Sequence, residues 1–341
     1  KSGASNFALG TVLDLNYEIT LPYTNKKYYE EMRGISDGSG VELKYFRRIH
    51  MIGELTKGAC SMFGAWGKAT SHGQTVQLRA LDWVKIDDVG IDGPFRKYPL
   101  AIVYHPSSKK YGNTWLNIGF IGWIGVLSGV NENQLAVSEI GVSYPDKTFG
   151  KESRVGNPFT FVLRDVLQWD STLNESIHRM QTTKRTCNLI LGVGDGKSEF
   201  RSFQYSHSVC NVIGDTNPLP KEDWHPAIEN AVYYGMIGFA LLSMKIALTS
   251  HENHGIITAE MTVRQIIPSL NSGNLQIAVY DLTNEKVYFS YGTKNDQGHN
   301  IDAYLRPFIF LDLKQVFAIK MNDSDSLMNY YYYNEGKSLI M

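Results

Sequence analysis

The chain has 341 residues, 43% hydrophobic and 20% charged, which suits a globular protein burying its core in one large domain or two ordinary ones. A formal net charge of −1 gives no electrostatic basis for a nucleic-acid partner. Its three cysteines, Cys60, Cys187 and Cys210, exclude a disulfide-stapled mini-fold.

The first 59 residues read as strand-like (ALGTVLDLNYEITLP) and then helical. KKYYEEMRGISDGSG carries charges and apolar residues at helical spacing and stops at a Gly-rich turn. In VELKYFRRIHMIGELTKGA, residues Val41, Leu43, Phe46, Ile49, Ile52 and Leu55 follow a period near 3.6, so a helix leads up to Cys60. From Cys60 the texture changes. CSMFGAWG, TVQLRALDW, LAIVYHP, LNIGFIGWIGVLSGV and QLAVSEIGV are short runs with Gly, Asn or Ser punctuation, as in strands joined by hairpins. FTFVLRDVLQW and STLNESIHRMQTT read as two helices. Strands return at CNLILGV, EFRSFQYS and VCNVIG. Residues 224–270 read as helical, with a capping signal at Thr258, and LQIAVYDLTNEKVYFSYG reads as a hairpin turning near Thr283-Asn284. The tail from Ser324 has no clear period. Strands and helices in separate runs argue for an α+β fold, economically two antiparallel sheets between helical layers.

Residues 231–248, AVYYGMIGFALLSMKIAL, approach the minimum length of a membrane span. Lys245 and two glycines interrupt them, so a buried or cleft-lining helix is expected. Cys187 and Cys210 lie in apolar, strand-like runs that antiparallel pairing could bring together, leaving Cys60 as the odd thiol; three buried thiols is the alternative. The opening KSGASNFALG suits a removed leader or a shortened chain, and Asn174-Glu-Ser and Asn322-Asp-Ser are glycosylation sequons. His207, His225, His251 and His254 complete no zinc-like set, so neither metal nor cofactor is expected. Asn188 and Arg164 read as structural, and Gly192-Val-Gly194-Asp-Gly196 as a hairpin turn.

Cys60 is the residue with a chemistry to explain. A thiol needs a base or a lowered pKa to attack near neutral pH, and no histidine is bound to it by local spacing. If the bond Ala59–Cys60 is cut, Cys60 gains an α-amine with a pKa of roughly 8, so nucleophile and base share one residue. If the two strands after Cys60 pair through a turn at Ser71-His-Gly-Gln74, Arg79 and Asp82 return towards it. Arg79 is then placed to stabilise negative charge, and Asp82 to accept from the amine or thiol. A surface ion pair at a strand end is the plainer alternative.

Cys60-Ser61 followed by Arg79-Ala-Leu-Asp82-Trp83 resembles the cysteine N-terminal-nucleophile hydrolases. The branch with acid ceramidase, N-acylethanolamine acid amidase, bile salt hydrolase and isopenicillin N acyltransferase is the nearest, and acid-ceramidase-like proteins of protists the nearest within it. EEMRGISDGSGVELKYF resembles its helical pro-segment, GVLSGVNENQLAVSEIG its Asn-Glu turn, and NPFTFVLRDVLQ its first helix after the strands. CNLILGVGDG and VIGDTN resemble the strands leading to an oxyanion-hole asparagine, here Asn217, and AVYYGM and NLQIAVYDLTNEKVYFSYG also match in order. Where many relatives carry another asparagine after the LAV strand, this chain reads SEIGVSY, with Glu139, Gly141 and Ser143.

The resemblance implies a four-layer αββα sandwich forming one structural domain. It implies a pro-segment or α chain (1–59) and a catalytic β chain (60–341) that stay associated after self-cleavage before Cys60. The implied catalytic residues are Cys60, Arg79, Asp82 and Asn217, without cofactor or metal. The implied substrate is a small N-acylated amine or lipid, with peripheral membrane contact allowed and a lysosomal or secreted setting. Acyl transfer on the same scaffold, or a non-catalytic secreted protein, are the alternatives.

Overall fold

A computed structural model describes residues 2–55, 58, 60–83, 92–141, 148–235 and 253–319, together with 241, 244, 245, 247 and 248. Three helices come first: α1 (Ser2–Thr20), α2 (Lys26–Ser39) and α3 (Leu43–Leu55). The segment expected to start as strand is therefore helical. Among the described side chains of α1, Leu13, Asn16, Tyr17 and Thr20 are buried beside Gly10 in an i, i+3, i+4, i+7 stripe, but two of them are polar, which hides the period. Asn16 and Thr20 both meet the Met51 sulfur of α3. α2 is capped by the Asn25 side chain at its start and by left-handed Gly40 at its end, as its Gly-rich stop anticipated.

Strands β1 (Ser61–Gly67) and β2 (Gly73–Leu81) pair antiparallel through the expected turn. The connection runs over 68–72, and His72 and Gly73 have positive φ at its end, where Gln74 N–H donates to the Ser71 carbonyl at 3.4 Å. After α4 (Asp92–Lys97) come β3 (Pro99–Tyr104), β4 (Trp115–Phe120), β5 (Gly129–Asn131) and β6 (Leu135–Ile140). Helices α5 (Phe159–Trp169) and α6 (Leu173–Thr182) follow, then β7 (Asn188–Asp195), β8 (Phe200–Ser206), β9 (Cys210–Ile213) and β10 (Ala231–Tyr234). A helical run over 259–270 starts at the Thr258 cap and contains a π turn, Thr262–Ile266. The chain continues with β11 (Gln276–Asp281), β12 (Lys286–Tyr291), a small hairpin of β13 (Thr293–Lys294) and β14 (Asn300–Ile301), and β15 (Ile309–Asp312).

One sheet has the order β10-β1-β2-β11-β12-β15 and the other β3-β4-β5-β6-β7-β8-β9, each antiparallel throughout. In β2, Val76, Leu78 and Ala80 face a core shared with Leu241, Met244, Leu248, Val263, Ile266 and Ile267. The alternate residues Gln77 and Arg79 reach β6 of the second sheet. α5 and α6 pack on the far side of the second sheet, and α1–α3 pack beside α5. The fold is thus the expected α+β, four-layer αββα sandwich. The sheets approach closely: a Cβ on Gly64 of β1 would lie 2.0 Å from Phe200 Cγ of β8.

Two expectations need correcting. Residues 231–234 of the supposed 231–248 helix form β10, which pairs with β1; alternate burial of Val232 and Tyr234 against the inner core and Tyr233 against the outer one explains the strand. Among the described residues no helix is long and apolar enough to cross a membrane. Cys187 and Cys210 form no disulfide, because β8 lies between β7 and β9. Their strands are two spacings, about 9–10 Å, apart, beyond the ~7 Å between Cα atoms that a disulfide spans. His251, Asn322 and the tail beyond residue 319 lie outside the described residues.

Candidate active site at Cys60

Cys60 immediately precedes β1 and is fully buried. The β1–β2 register sets Met62 opposite Arg79 and Ser61 opposite Ala80, so Arg79 and Asp82 return beside the cysteine as the hairpin reading expected. Arg79 Nη2 lies 3.8 Å from Cys60 Sγ. The thiol reaches Asp82 through its main-chain carbonyl, at 3.9 Å, rather than through its carboxylate. Gly58 packs against the same group: a Cβ there would sit 2.9 Å from the Asp82 carbonyl oxygen and 3.2 Å from the Cys60 sulfur.

The Asp82 carboxylate is held in a small cradle. Oδ1 accepts from the backbone N–H groups of Gly273 at 2.8 Å and Asn274 at 2.7 Å. Successive amides aimed at one anion are what a backbone nest supplies. Oδ2 accepts from the Ser272 hydroxyl, whose oxygen lies 2.8 Å from Ser61 Oγ, beside the nucleophile candidate. Asn274 also clamps Trp83, accepting from its N–H and donating to its carbonyl, both at 3.1 Å. The β2–β11 register, with Gln276 opposite Leu81, brings this 272–274 turn to Asp82. In the sequence, the Ser-Gly-Asn triplet before the hairpin strand marks only a turn and does not name its partner.

Arg79 is fully buried and donates to Glu139 of β6 twice, Nη2 to Oε2 at 3.0 Å and Nε to the backbone carbonyl at 3.2 Å. Arg79 Nη1 is buried without a hydrogen-bond partner among the described residues. Of the three residues of SEIGVSY where the resemblance looks for an asparagine, Glu139 is an ion-pair partner of Arg79, and Ser143 lies outside the described residues. Burial pushes the Cys60 thiol up to about 12; Arg79 opposes this, while Glu139 and Asp82 reinforce it. Burial likewise raises the Glu139 and Asp82 carboxyls, against Arg79 for Glu139 and against the Ser272, Asn274 and Gly273 hydrogen bonds for Asp82. In this form the site holds a protonated thiol beside a compensated guanidinium.

Asn217 does not join these contacts. It is exposed in the turn after β9, where its Nδ2 donates to the Val212 carbonyl at 3.0 Å and its Oδ1 accepts from Gly214 N–H at 2.7 Å. Those bonds are the turn asparagine's usual work. Arg164 is structural as expected, pairing with Glu31 at 2.7 Å and donating to the Ile124 carbonyl. Among the described residues, no three His, Cys, Asp or Glu side chains gather as metal ligands.

Fold and site together define an αββα sandwich whose first strand is headed by a buried cysteine, with Arg79 and Asp82 of the paired strand returned to it. The chain belongs to the family of Protein dcd1A of Dictyostelium discoideum, with which it is 32% identical over 326 residues, 91% of this chain and 71% of dcd1A. Protein dcd1B of the same organism is 33% identical over 294 residues, and there the chain spans only 56% of the relative's length. No protein-family model matches the chain. Solved structures similar to it include a Caenorhabditis elegans N-acylethanolamine-hydrolyzing acid amidase ortholog (17% identity, 66% of this chain and 93% of that one, TM-score 0.45). Penicillin V acylase from Agrobacterium tumefaciens is another (14% identity, 75% and 86%, TM-score 0.45). The architecture described above rests on the sheet topology itself.

Proposed function

We propose that the chain is the precursor of a cysteine amidohydrolase that cuts itself between Ala59 and Cys60. The observation that carries this reading is the convergence of Arg79 and Asp82 on Cys60 at the head of β1. In the self-cut, Cys60 Sγ attacks the Ala59 carbonyl carbon and the peptide nitrogen leaves as the Cys60 α-amine. Water then hydrolyses the thioester, leaving an α chain (1–59) and a β chain (60–341). In turnover, the same sulfur attacks a linear amide of an N-acylated amine or lipid while the α-amine takes its proton. The amine product leaves with that proton, and water releases the acyl group as a carboxylic acid. Arg79 stabilises the negative charge at sulfur, and the Asp82 cradle fixes the strand end that carries it. An oxyanion role for Asn217, with a backbone N–H, requires its amide to leave the Val212 carbonyl. An acidic lysosomal or secreted setting suits such a precursor.

The α chain has the contacts to stay bound after the cut. Glu54 accepts from Phe159 N–H at 3.0 Å and from the Cys187 thiol at 3.1 Å, and Tyr28 stacks on Phe161 with ring centroids 4.7 Å apart. The full burial of Cys60 and its raised pKa favour a second reading, a protein that keeps this scaffold without turnover.

Intact mass and N-terminal sequencing, at acidic and at neutral pH, test the proposal. Two fragments, one starting at Cys60 and absent from Cys60→Ala, are expected. A single uncut chain under both conditions supports the second reading and sinks the first.

A further inference from the structure

Two serines tie the Asp82 carboxylate to the strand that carries Cys60. Ser61, the residue after the cysteine, and Ser272, 211 positions on, are both fully buried, and their hydroxyl oxygens lie 2.8 Å apart. Ser272 Oγ also meets Asp82 Oδ2. A hydroxyl has a single proton to give, and an ionised carboxylate can only accept. Asp82 Oδ1 already takes the Gly273 and Asn274 amides, so the Ser272 proton goes to Oδ2 and none is left for Ser61. Ser61 is therefore the donor of the other bond, and the chain runs from Ser61 to Ser272 to Asp82. Bonds that run one way through hydroxyls polarise one another, and the charge at the end strengthens them.

The chain lies on the face of the sheet opposite the sulfur. Cys60 and Met62 belong to the core between the sheets, Phe63 and Ala65 to the outer core. Side chains alternate across a strand, so Ser61 points with Phe63 and away from Cys60. On the neighbouring strand Leu81 faces inward and Ala80 outward, and Gly273 of the cradle lies over Ala80, where a Cβ would be 3.3 Å from Ala80 Cβ. Arg79 thus meets the sulfur from the inner face, at 3.8 Å, while the serine chain grips the main chain from the outer face.

We infer that Ser272 is a positioning residue for Cys60: acting through Ser61, its hydroxyl locks the head of β1 to the end of β2 and to the 272–274 turn, so that the sulfur stays beside Arg79. This rests on the reading of Cys60 as nucleophile. Ser272 itself touches no reacting atom. Attack on a carbonyl needs sulfur and carbon held about 3–3.5 Å apart, and a misplacement of about 1 Å costs on the order of a hundredfold in rate. Ser272→Ala breaks both links of the chain, whereas Ser61→Ala removes one and leaves Asp82 its bond from Ser272.

The test reads amide hydrogen exchange along β1 in a Cys60→Ala background, where no cut intervenes, and the rate of the cut with Cys60 present. Ser272→Ala should speed exchange at Ser61 and Met62 about tenfold, while Ala65 and Trp66, at the far end of β1, keep their rates. The cut should slow about tenfold, and adding Ser61→Ala to Ser272→Ala should slow it no further, because the two act as one chain. If Ser272→Ala does not fold, Ser61→Ala gives the same comparison between Met62 and Trp66. Exchange that rises evenly along β1, as lost stability alone would make it, overturns the inference, and so does a cut at the parent rate. A change confined to the head of β1, in a chain that forms no new terminus, leaves the hold on Cys60 standing and removes the amidohydrolase reading. A terminus at Cys60 with exchange unmoved at the head of β1 does the reverse.

Discussion

His50 offers a direct check on how the N-terminal helices are held. It lies in α3, fully buried, its ring stacked between Trp123 (centroids 5.3 Å apart) and Phe161 (5.5 Å). Its Nε2 accepts from the Ile124 N–H at 2.8 Å, so Nδ1 carries the proton and donates to the Phe46 carbonyl at 2.6 Å. Only the neutral imidazole can make both bonds. Burial, and the nearby Arg164, lower its pKa from 6.5 to about 4, with the Phe46 bond opposing. Above about pH 6.5 neither the folded nor the unfolded state protonates it. As pH falls through the window from about 6.5 to about 4, the unfolded chain takes the proton and the folded one refuses it, so stability is lost. At about 1.4 kcal/mol per pH unit the loss is on the order of 3 kcal/mol, saturating below about pH 4. The experiment compares His50→Gln with the parent, both in a Cys60→Ala background so that no chain break accompanies acid. Urea unfolding near pH 7 and near pH 4 gives the stability difference at each pH. Lost stacking is a constant offset, and the raised carboxyls of Glu54, Glu139 and Asp82, which push the other way, are common to both chains. The parent's lead should shrink by about 3 kcal/mol on acidification. A difference that stays constant within about 0.5 kcal/mol would falsify the buried neutral histidine.

Two further substitutions probe the sandwich and the site. Gly64→Ala sets a Cβ 2.0 Å from Phe200 Cγ and 2.4 Å from Phe200 Cβ, so the sheets must part. A loss of roughly 1–3 kcal/mol, read as a lower Tm, is expected; an unchanged Tm contradicts the close approach. Asn217→Ala separates turn from oxyanion hole. With its amide engaged in its own turn, stability should fall by about 1 kcal/mol and turnover less than about tenfold, whereas a loss of about a hundredfold or more restores the oxyanion role.

The sheet architecture was legible because the apolar runs are short and the Gly, Asn and Ser punctuation between them is dense. The β1–β2 hairpin, and with it the meeting of Arg79 and Asp82 with Cys60, followed from the turn at Ser71–Gln74. α1 was misread because Asn16 and Thr20 complete its buried stripe through a methionine sulfur, a contact that no periodicity of apolar residues reports. β10 was lost inside a long apolar run, where period alone does not separate a buried strand from a buried helix. The Asp82 cradle joins residues 190 or more positions apart, and only the β2–β11 register reveals it. Glu139 was visible as a departure from a family pattern, but its partner was not.

The polar side chains between the sheets explain why the site is built where it is. Inner faces of a sandwich are ordinarily apolar. Here Gln77 donates to Ser138 at 2.5 Å, Ser128 donates to Gln276 at 2.7 Å, and Gln276 donates to the Ile118 carbonyl at 2.8 Å. Each link crosses from one sheet to the other. A slide of one sheet over the other would strand several buried polar groups at about 1–3 kcal/mol each, so these links fix the register between β2, β11 and the second sheet. Arg79–Glu139 is a further such link, and it is the one that touches Cys60. The neutral links already hold the sheets, so a charged one adds little to stability that an amide pair would not. What the pair adds is a fixed place for the guanidinium, 3.8 Å from one sulfur atom.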